Sequence, residues 1–599
     1  MKRLVGLLIV MAILIVGIIC AVRYAQRRTS FGVAGLLPRS TVAFVHLPDF
    51  NGILEDWRRS DVYQIYREPA VQEFLRKPLE QSPKPGSLGA TVQQIQQLKP
   101  TEAFFGLSSI ANDQPKIIGG FQFGCGHAVA DRILGEWKGK LDPSAKRDRI
   151  DYQKHTIEVV TQAPFTLATA QDQNWFFASN NLEELKALLD RADGRVKDAN
   201  ALLNADDAYR EAIGAMPTSY AAMVYLQPKV FVERIKAARQ SAANSASSQM
   251  AALDRIRSVS VATRFDGGKL HDTLFLAMPN QMPDAQLGRT ALPIATASTI
   301  LYAASLVDLT RQANTLFPAA ASNPLGPAAQ KISDALARAG VTAADWTAAF
   351  GSEFDMISEW PNQSRWPNLI VAGTVKDQNR ARKIIDVLSS QPGEGKSWEQ
   401  SDRDGVHYWA LNSTGGWLVL RPVMALSDRF WIGGLDVTSV EEAVKRSRQA
   451  ESGLAQAENY HKSAALLPNP TQFFAYVDPA QIYTRIDATV RPFLLMGAMF
   501  NAPGSNMVDL TKIPPPDAIT KHLSPIVSSQ YYSGKGYILE SIGPLTINQA
   551  AIGLGVAGGF GAMAYHKLLP AGAAAPAGLV PLPKTSGPAK PAVTPSPTP

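Results

Sequence analysis

Cys125 and His127, a thiol and an imidazole separated by Gly126, come nearest in this sequence to a nucleophile with its base. That chemistry needs a thiolate of depressed pKa and a base aimed at it, a geometry that residues two apart seldom provide. The matching places later in the chain hold Asp377 and Asn379, so the pair is not repeated, and a thiol packed in a turn is the expected role. Gly553-Leu554-Gly555-Val556-Ala557-Gly558 spells the dinucleotide fingerprint. No acidic residue follows it to hold a ribose, and a Pro-rich tail comes next, so no cofactor is implied. Asp402-Arg403-Asp404-Gly405 opens like a calcium loop but lacks the later ligands and is expected to be a turn. The eight histidines are scattered, and no hydrolase elbow, zinc helix or C-x-x-C motif occurs. No catalytic, cofactor-binding or metal-ligating residue is assigned.

The aromatic residues say more. Seven of the ten tryptophans lie between Trp346 and Trp431, and Trp360-Pro361 and Trp366-Pro367 fall in one polar stretch, SEWPNQSRWPN. Tryptophan on a Pro-stiffened loop can stack on a sugar, enter a lipid interface or anchor a protein. Trp360 and Trp366 are therefore the candidate partner or ligand contacts. The competing reading is that both rings fold back over the core.

These residues sit in a chain that repeats itself. WFFASNNLEELKALL from Trp175 is echoed by FWIGGLDVTSVEEAVKR from Phe430. The lead-ins LLPRSTVAFVHL and ALPIATASTILYAASL share Leu-Pro-x-x-Thr, and PKIIGGFQF is matched by PNLIVAGTV. YAAMVYLQPKVF is matched by QFFAYVDPAQIY, and the closing hairpins VATRFDGGKLHDTLFLAMP and VSSQYYSGKGYILESIGP correspond. An unchanged order of matches indicates tandem duplication. Short β-branched and aromatic runs alternate with helices such as the one striped by Leu182, Leu185 and Leu189. Asp266-Gly267-Gly268 and Ser533-Gly534 mark hairpins. The expected fold class is α+β: two tandem duplicated halves with largely antiparallel sheets and flanking helices, plus an N-terminal transmembrane helix. A groove between the halves is the default ligand site.

Leu4–Val22 is 19 residues without a charge or strongly polar side chain, flanked by Lys2 and Arg3 and by Arg23, Arg27 and Arg28. It is long enough to approach a bilayer's hydrocarbon thickness, and it lacks a signal-peptidase site. The expected organisation is a signal anchor over 1–28 with its helix at 4–22, a first repeat over 29–285 and a second over 286–541. The segment 542–566 is uncharged and Gly/Ala-rich, with Gly555 and Gly559 as a possible helix-packing face. Two readings stay open there, a second membrane helix or a segment packed on the body. The remainder, 567–599, ends in a stretch with eight prolines in 29 residues and is expected to be disordered.

The net charge of +7 belongs to the ends. Eight of the 59 basic residues lie before residue 29 or after Glu540, where no acid occurs, leaving 51 basic against 52 acidic residues between. Nucleic acid is not an expected partner. The expected partners are the lipid bilayer through residues 4–22 and an envelope protein, lipid or glycan.

The anchor followed by two Leu-Pro-x-x-Thr strands resembles a bacterial membrane-anchored family catalogued only as a domain of unknown function. The resemblance implies a bacterial envelope protein at the cell membrane with its body extracytoplasmic, and it brings no catalytic residues. A binding or scaffolding role is the expected function. A carrier of a lipid or other apolar ligand between the halves and an enzyme with an unrecognised site are the alternatives.

Overall fold

The computed structural model describes residues 32–549 except 82–92, 112–113, 140–143, 163–164, 232, 234–254, 283, 317–326, 391–395, 414–420, 450–452 and 500–508. The first ten strands are β1 (Ala43–Leu47), β2 (Pro100–Ala111), β3 (Gln114–Phe123), β4 (Lys146–Tyr152), β5 (His155–Gln162), β6 (Phe165–Asp172), β7 (Trp175–Ser179), β8 (Ala222–Leu226), β9 (Ser258–Asp266) and β10 (Lys269–Ala277). The next ten are β11 (Thr299–Leu306), β12 (Phe350–Glu359), β13 (Ile370–Val375), β14 (Lys396–Arg403), β15 (Val406–Ser413), β16 (Val423–Leu426), β17 (Phe430–Gly434), β18 (Phe473–Val477), β19 (Ile526–Tyr532) and β20 (Tyr537–Gly543).

All twenty belong to one sheet, and every pairing is antiparallel. In space the first half runs β4-β5-β6-β7-β3-β2-β1-β8-β9-β10. The second half runs β14-β15-β16-β17-β13-β12-β11-β18-β19-β20, the same pattern ten strands on. The halves join where β10 pairs with β20, from Leu270 opposite Gly543 to Leu276 opposite Tyr537. This corrects the expected fold class. The halves do not own separate sheets, because each would end in an unpaired edge strand and the two edges satisfy one another. No helix among the described residues is long and apolar enough to cross a membrane, and the expected membrane helix does not fall among them. Residues 4–22 and most of 542–566, including Gly555 and Gly559, lie outside the described residues.

The phrase that occurs twice builds the same unit twice. After β7, Asn181 accepts a hydrogen bond from the Glu184 amide and caps the helix Leu182–Ala192; after β17, Asp436 accepts from the Ser439 amide and caps Val437–Ser447. Each cap satisfies a helix N–H that has no partner within its own turn. Each helix then carries one arginine back to the lead-in of its half. Arg191 Nε donates to the Leu36 carbonyl at 2.6 Å, and Arg446 Nε donates to the Ile294 carbonyl at 2.6 Å. Arg446 also meets the buried Glu359 at 3.0 Å, whereas Arg191 keeps a buried Nη2 without a partner.

Two large apolar cores lie on this face, one around Phe44, Phe177 and Leu188 and one around Tyr302, Ile432 and Val440. They meet on β20, where Ile538 belongs to the first and Ile542 to the second. Glu540 lies between them and accepts from His271 Nε2 at 2.9 Å and from the Tyr531 hydroxyl at 3.0 Å. Arg264 donates to His271 Nδ1 at 2.8 Å, which assigns the imidazole proton to Nε2. Burial pushes the Glu540 carboxyl up, but the hydrogen bonds from His271 and Tyr531 outweigh it and hold it below the usual glutamate range.

A depressed carboxyl contributes stability above its unfolded pKa and loses it as pH falls through the folded value. His271→Ala is therefore expected to cost about 1–3 kcal/mol in urea unfolding at neutral pH, because the Glu540 oxygen that His271 partnered is left without a donor and only Tyr531 remains. Glu540→Gln is expected to flatten the loss of stability of the intact protein below the usual glutamate range. An unchanged acid limb in that variant would remove Glu540 from the seam's energetics.

Candidate interaction surface

The connection from β12 to β13 carries both candidate tryptophans, and its base is clasped. The Glu359 amide donates to Asn368 Oδ1 at 2.8 Å, and Ser358 Oγ donates to the Asn368 carbonyl at 2.7 Å. Within that clasp the two rings part company. Trp360 is 6% exposed, and its indole N–H donates to the Ser364 carbonyl at 3.2 Å, closing the loop on itself. Trp366 is 61% exposed. Of the two sequence candidates, Trp360 packs and Trp366 is free to meet a partner.

Trp366 has a neighbour that sequence reading did not single out. The helix Pro479–Met499 leaves the body after Arg491, whose guanidinium donates to Asp487 at 2.8 Å and to the Ile513 and Pro514 carbonyls at 3.0 and 2.6 Å. Pro492 follows, without an N–H for the helix ladder, and then Phe493, Leu494, Leu495 and Met496 are all exposed. Ile486 and Val490 extend this exposure down one side. The Arg365 guanidinium lies 5.8 Å from the Trp366 ring centre and 5.2 Å from that of Phe493, joining loop and helix into one patch through cation–π contacts. The segment that Arg491 grips is in turn held to the first half. His522 and Lys521, just beyond Pro516–Thr520, meet Glu68 at 2.7 and 2.9 Å, and Lys77 meets Asp509 at 3.5 Å.

The other candidate chemistry resolves differently. His127 opens the helix His127–Gly139 and sets its ring edge-on to Phe123 at 5.7 Å, with no hydrogen bond to the half-buried Cys125. Asp404 and Gly405 take positive φ in the β14–β15 hairpin, as the turn reading expects. His155, Asp172 and Asp193 bring three ligand atoms within 4.8 Å, a grouping invisible to spacing because 38 residues separate His155 from Asp193. Yet Lys154 meets Asp193 at 2.8 Å, and Arg195 donates to it as well. Burial pushes Asp193 up, and Lys154, His155 and Arg195 together pull it down to about 2. Cations already stand where a metal would, so the cluster works as a pin between hairpin and helix.

The most perturbed acid is sealed. Asp355 is 1% exposed, accepts from the Tyr302 hydroxyl at 2.8 Å and has a second oxygen without a partner. Burial, then the charge of Glu353, raises it to about 8. Glu353 is engaged by the Gly288 amide at 2.6 Å and the Thr290 hydroxyl at 2.7 Å. No substrate reaches that pair. A cleft of about 750 Å³ beside the seam is walled by Asp207, Arg210, Glu211, Arg257 and Lys535, and another of about 600 Å³ by Gln481, Arg485, Asp517 and Lys521.

No protein-family model and no curated protein matches this chain. Among solved structures, crystal form III of TP0453 aligns with a TM-score of 0.22 and 8% identity, over 41% of this chain and 80% of its own. Crystal form I of TP0453 gives 0.23 and 9%, over 42% and 81%. Likeness at this level carries no argument about this chain.

Trp360→Ala is expected to destabilise by about 3–5 kcal/mol in chemical denaturation, as for any large buried ring. Trp366→Ala is expected to stay within about 0.5 kcal/mol of wild type. For Asp355 the raised folded pKa reverses the usual acid behaviour: stability is greatest below the unfolded carboxylate value and declines as pH rises to about 8. Asp355→Asn removes that decline, and thermal melts across this range read it directly. A slope that survives the substitution would mean Asp355 is ionised in the fold.

Proposed function

We propose that this protein is a binding or scaffolding component of the bacterial cell envelope that engages its partner through the Trp366–Phe493 patch. The observation that carries the reading is the exposure of Trp366 beside Phe493, Leu494, Leu495 and Met496, on a loop and a helix whose bases are fixed. Large apolar side chains gathered at one exposed place on an otherwise packed body mark an interaction site. Placement at the cell membrane, with the body extracytoplasmic, rests on the family resemblance of the Leu-Pro-x-x-Thr lead-ins. The partner is drawn from envelope protein, lipid or glycan.

A photo-crosslinking residue at Leu494, with a control at the exposed Glu183 on the helix Leu182–Ala192, tests this in living cells. Adducts specific to position 494, reduced several-fold by Trp366→Ala with Phe493→Ala, are expected. Equal labelling at both positions would remove the patch from any binding role. A reporter fused after Pro599 and accessible from outside the inner membrane is the expected topology.

A further inference from the structure

Resting on that reading of the patch as a binding surface, we infer that the tip of the helix Pro479–Met499 inserts into the apolar layer of a lipid surface bearing anionic headgroups. The argument begins with direction. At 100° per residue, the five exposed residues Pro492–Met496 cover more than a full turn, so apolar side chains leave the helix on every side. A groove on a protein covers one stripe of a helix, whereas a helix apolar all round calls for an apolar medium that surrounds it. The sequence continues that character: from Pro492 to Val508 there are 17 residues without a charge.

Charge is distributed to match a membrane boundary. Asp487 is neutralised by Arg491 within the helix, so the acid nearest the tip is not presented to a headgroup. Arg365 makes no ion pair among the described residues and lies over Trp366 and Phe493, a cation above two rings at the base of the apolar tip. Arg485, also without an ion pair among the described residues, stands eight residues before Phe493, roughly 12 Å along the helix. That separation suits cations lying in the headgroup layer while the tip enters the acyl boundary. Tryptophan beside arginine is the side-chain pairing that settles at such an interface.

The first half supports the assignment by contrast. Counted from the matched Pro228 and Pro479, its residues at the place of Pro492–Met496 are Ser241-Ala242-Ala243-Asn244-Ser245, small and polar where the second half has large apolar side chains. Its connection between β2 and β3 has only Asn112 and Asp113 where the second half places the tryptophan loop. Loop and apolar tip are thus both additions of the second half, and they meet.

The test uses the full chain reconstituted into vesicles, with a fluorophore on Met496→Cys or, as reference, on Glu183→Cys, each with Cys20→Ser and Cys125→Ser. In vesicles of equal parts phosphatidylcholine and phosphatidylglycerol with a spin-labelled acyl-chain quencher, quenching at position 496 is expected to exceed that at 183 by threefold or more. Phe493→Asp with Leu495→Asp should abolish the excess, and Arg365→Glu should halve it. Equal quenching at 496 and 183 overturns lipid insertion, and an excess unchanged in phosphatidylcholine alone overturns the anionic assignment. If 496 is not quenched while position 494 still forms adducts to a protein in cells, the binding reading stands and the lipid reading falls.

Discussion

The pairing of β10 with β20 is the constraint on which this architecture rests. Without it each half would end in an exposed edge strand, and two cores that now share β20 would be separate. Backbone hydrogen bonds alone do not make such a junction specific. The His271–Glu540 contact, with Arg264 behind it and Tyr531 beside it, places a fully partnered polar group between the two apolar clusters. A polar link of this kind penalises any register that separates its members, because each would then be buried unpaired.

A scaffold with the same strand order on both sides makes its differences easy to read. The lead-in, the capped helix and the arginine tether occur in each half with nearly the same geometry. What differs is concentrated on one side. The second half lengthens the β12–β13 connection and has large apolar residues where the first half has the small polar run Ser241–Ser245, and Arg365 joins the two additions. Copies of a stable unit tolerate loop elaboration because the scaffold's energy lies in its sheet and cores. The exposed patch is an elaboration of this kind.

Local structure was the legible part of the sequence. The Asp266-Gly267-Gly268 and Ser533-Gly534 turns are hairpins, and the Leu182, Leu185 and Leu189 stripe lies on a helix. The single sheet was not legible, since β10 and β20 each look like the last strand of a half and nothing in either pattern names a partner so far along the chain. The apolar run Phe493–Met496 was not singled out, because periodicity assigns such a run to a core and cannot report that it projects. Asp355 and the His155–Asp193 pin were hidden for a related reason. Their meaning depends on what faces them across strands, and an inward-pointing carboxylate within a β-alternation looks locally like any polar residue.

The distance along the chain between the joined edges has a consequence for biosynthesis. As the nascent polypeptide emerges, β10 is complete long before β20 has left the ribosome. At a synthesis rate of ~5–20 residues per second, the gap lasts tens of seconds, during which the first half waits with a bare edge. Lys269, Asp272 and His271 near the start of β10 put charge and polarity on that edge, a device that discourages pairing with another chain. β10 therefore spends its early life guarded by the same imidazole that later locks it to β20.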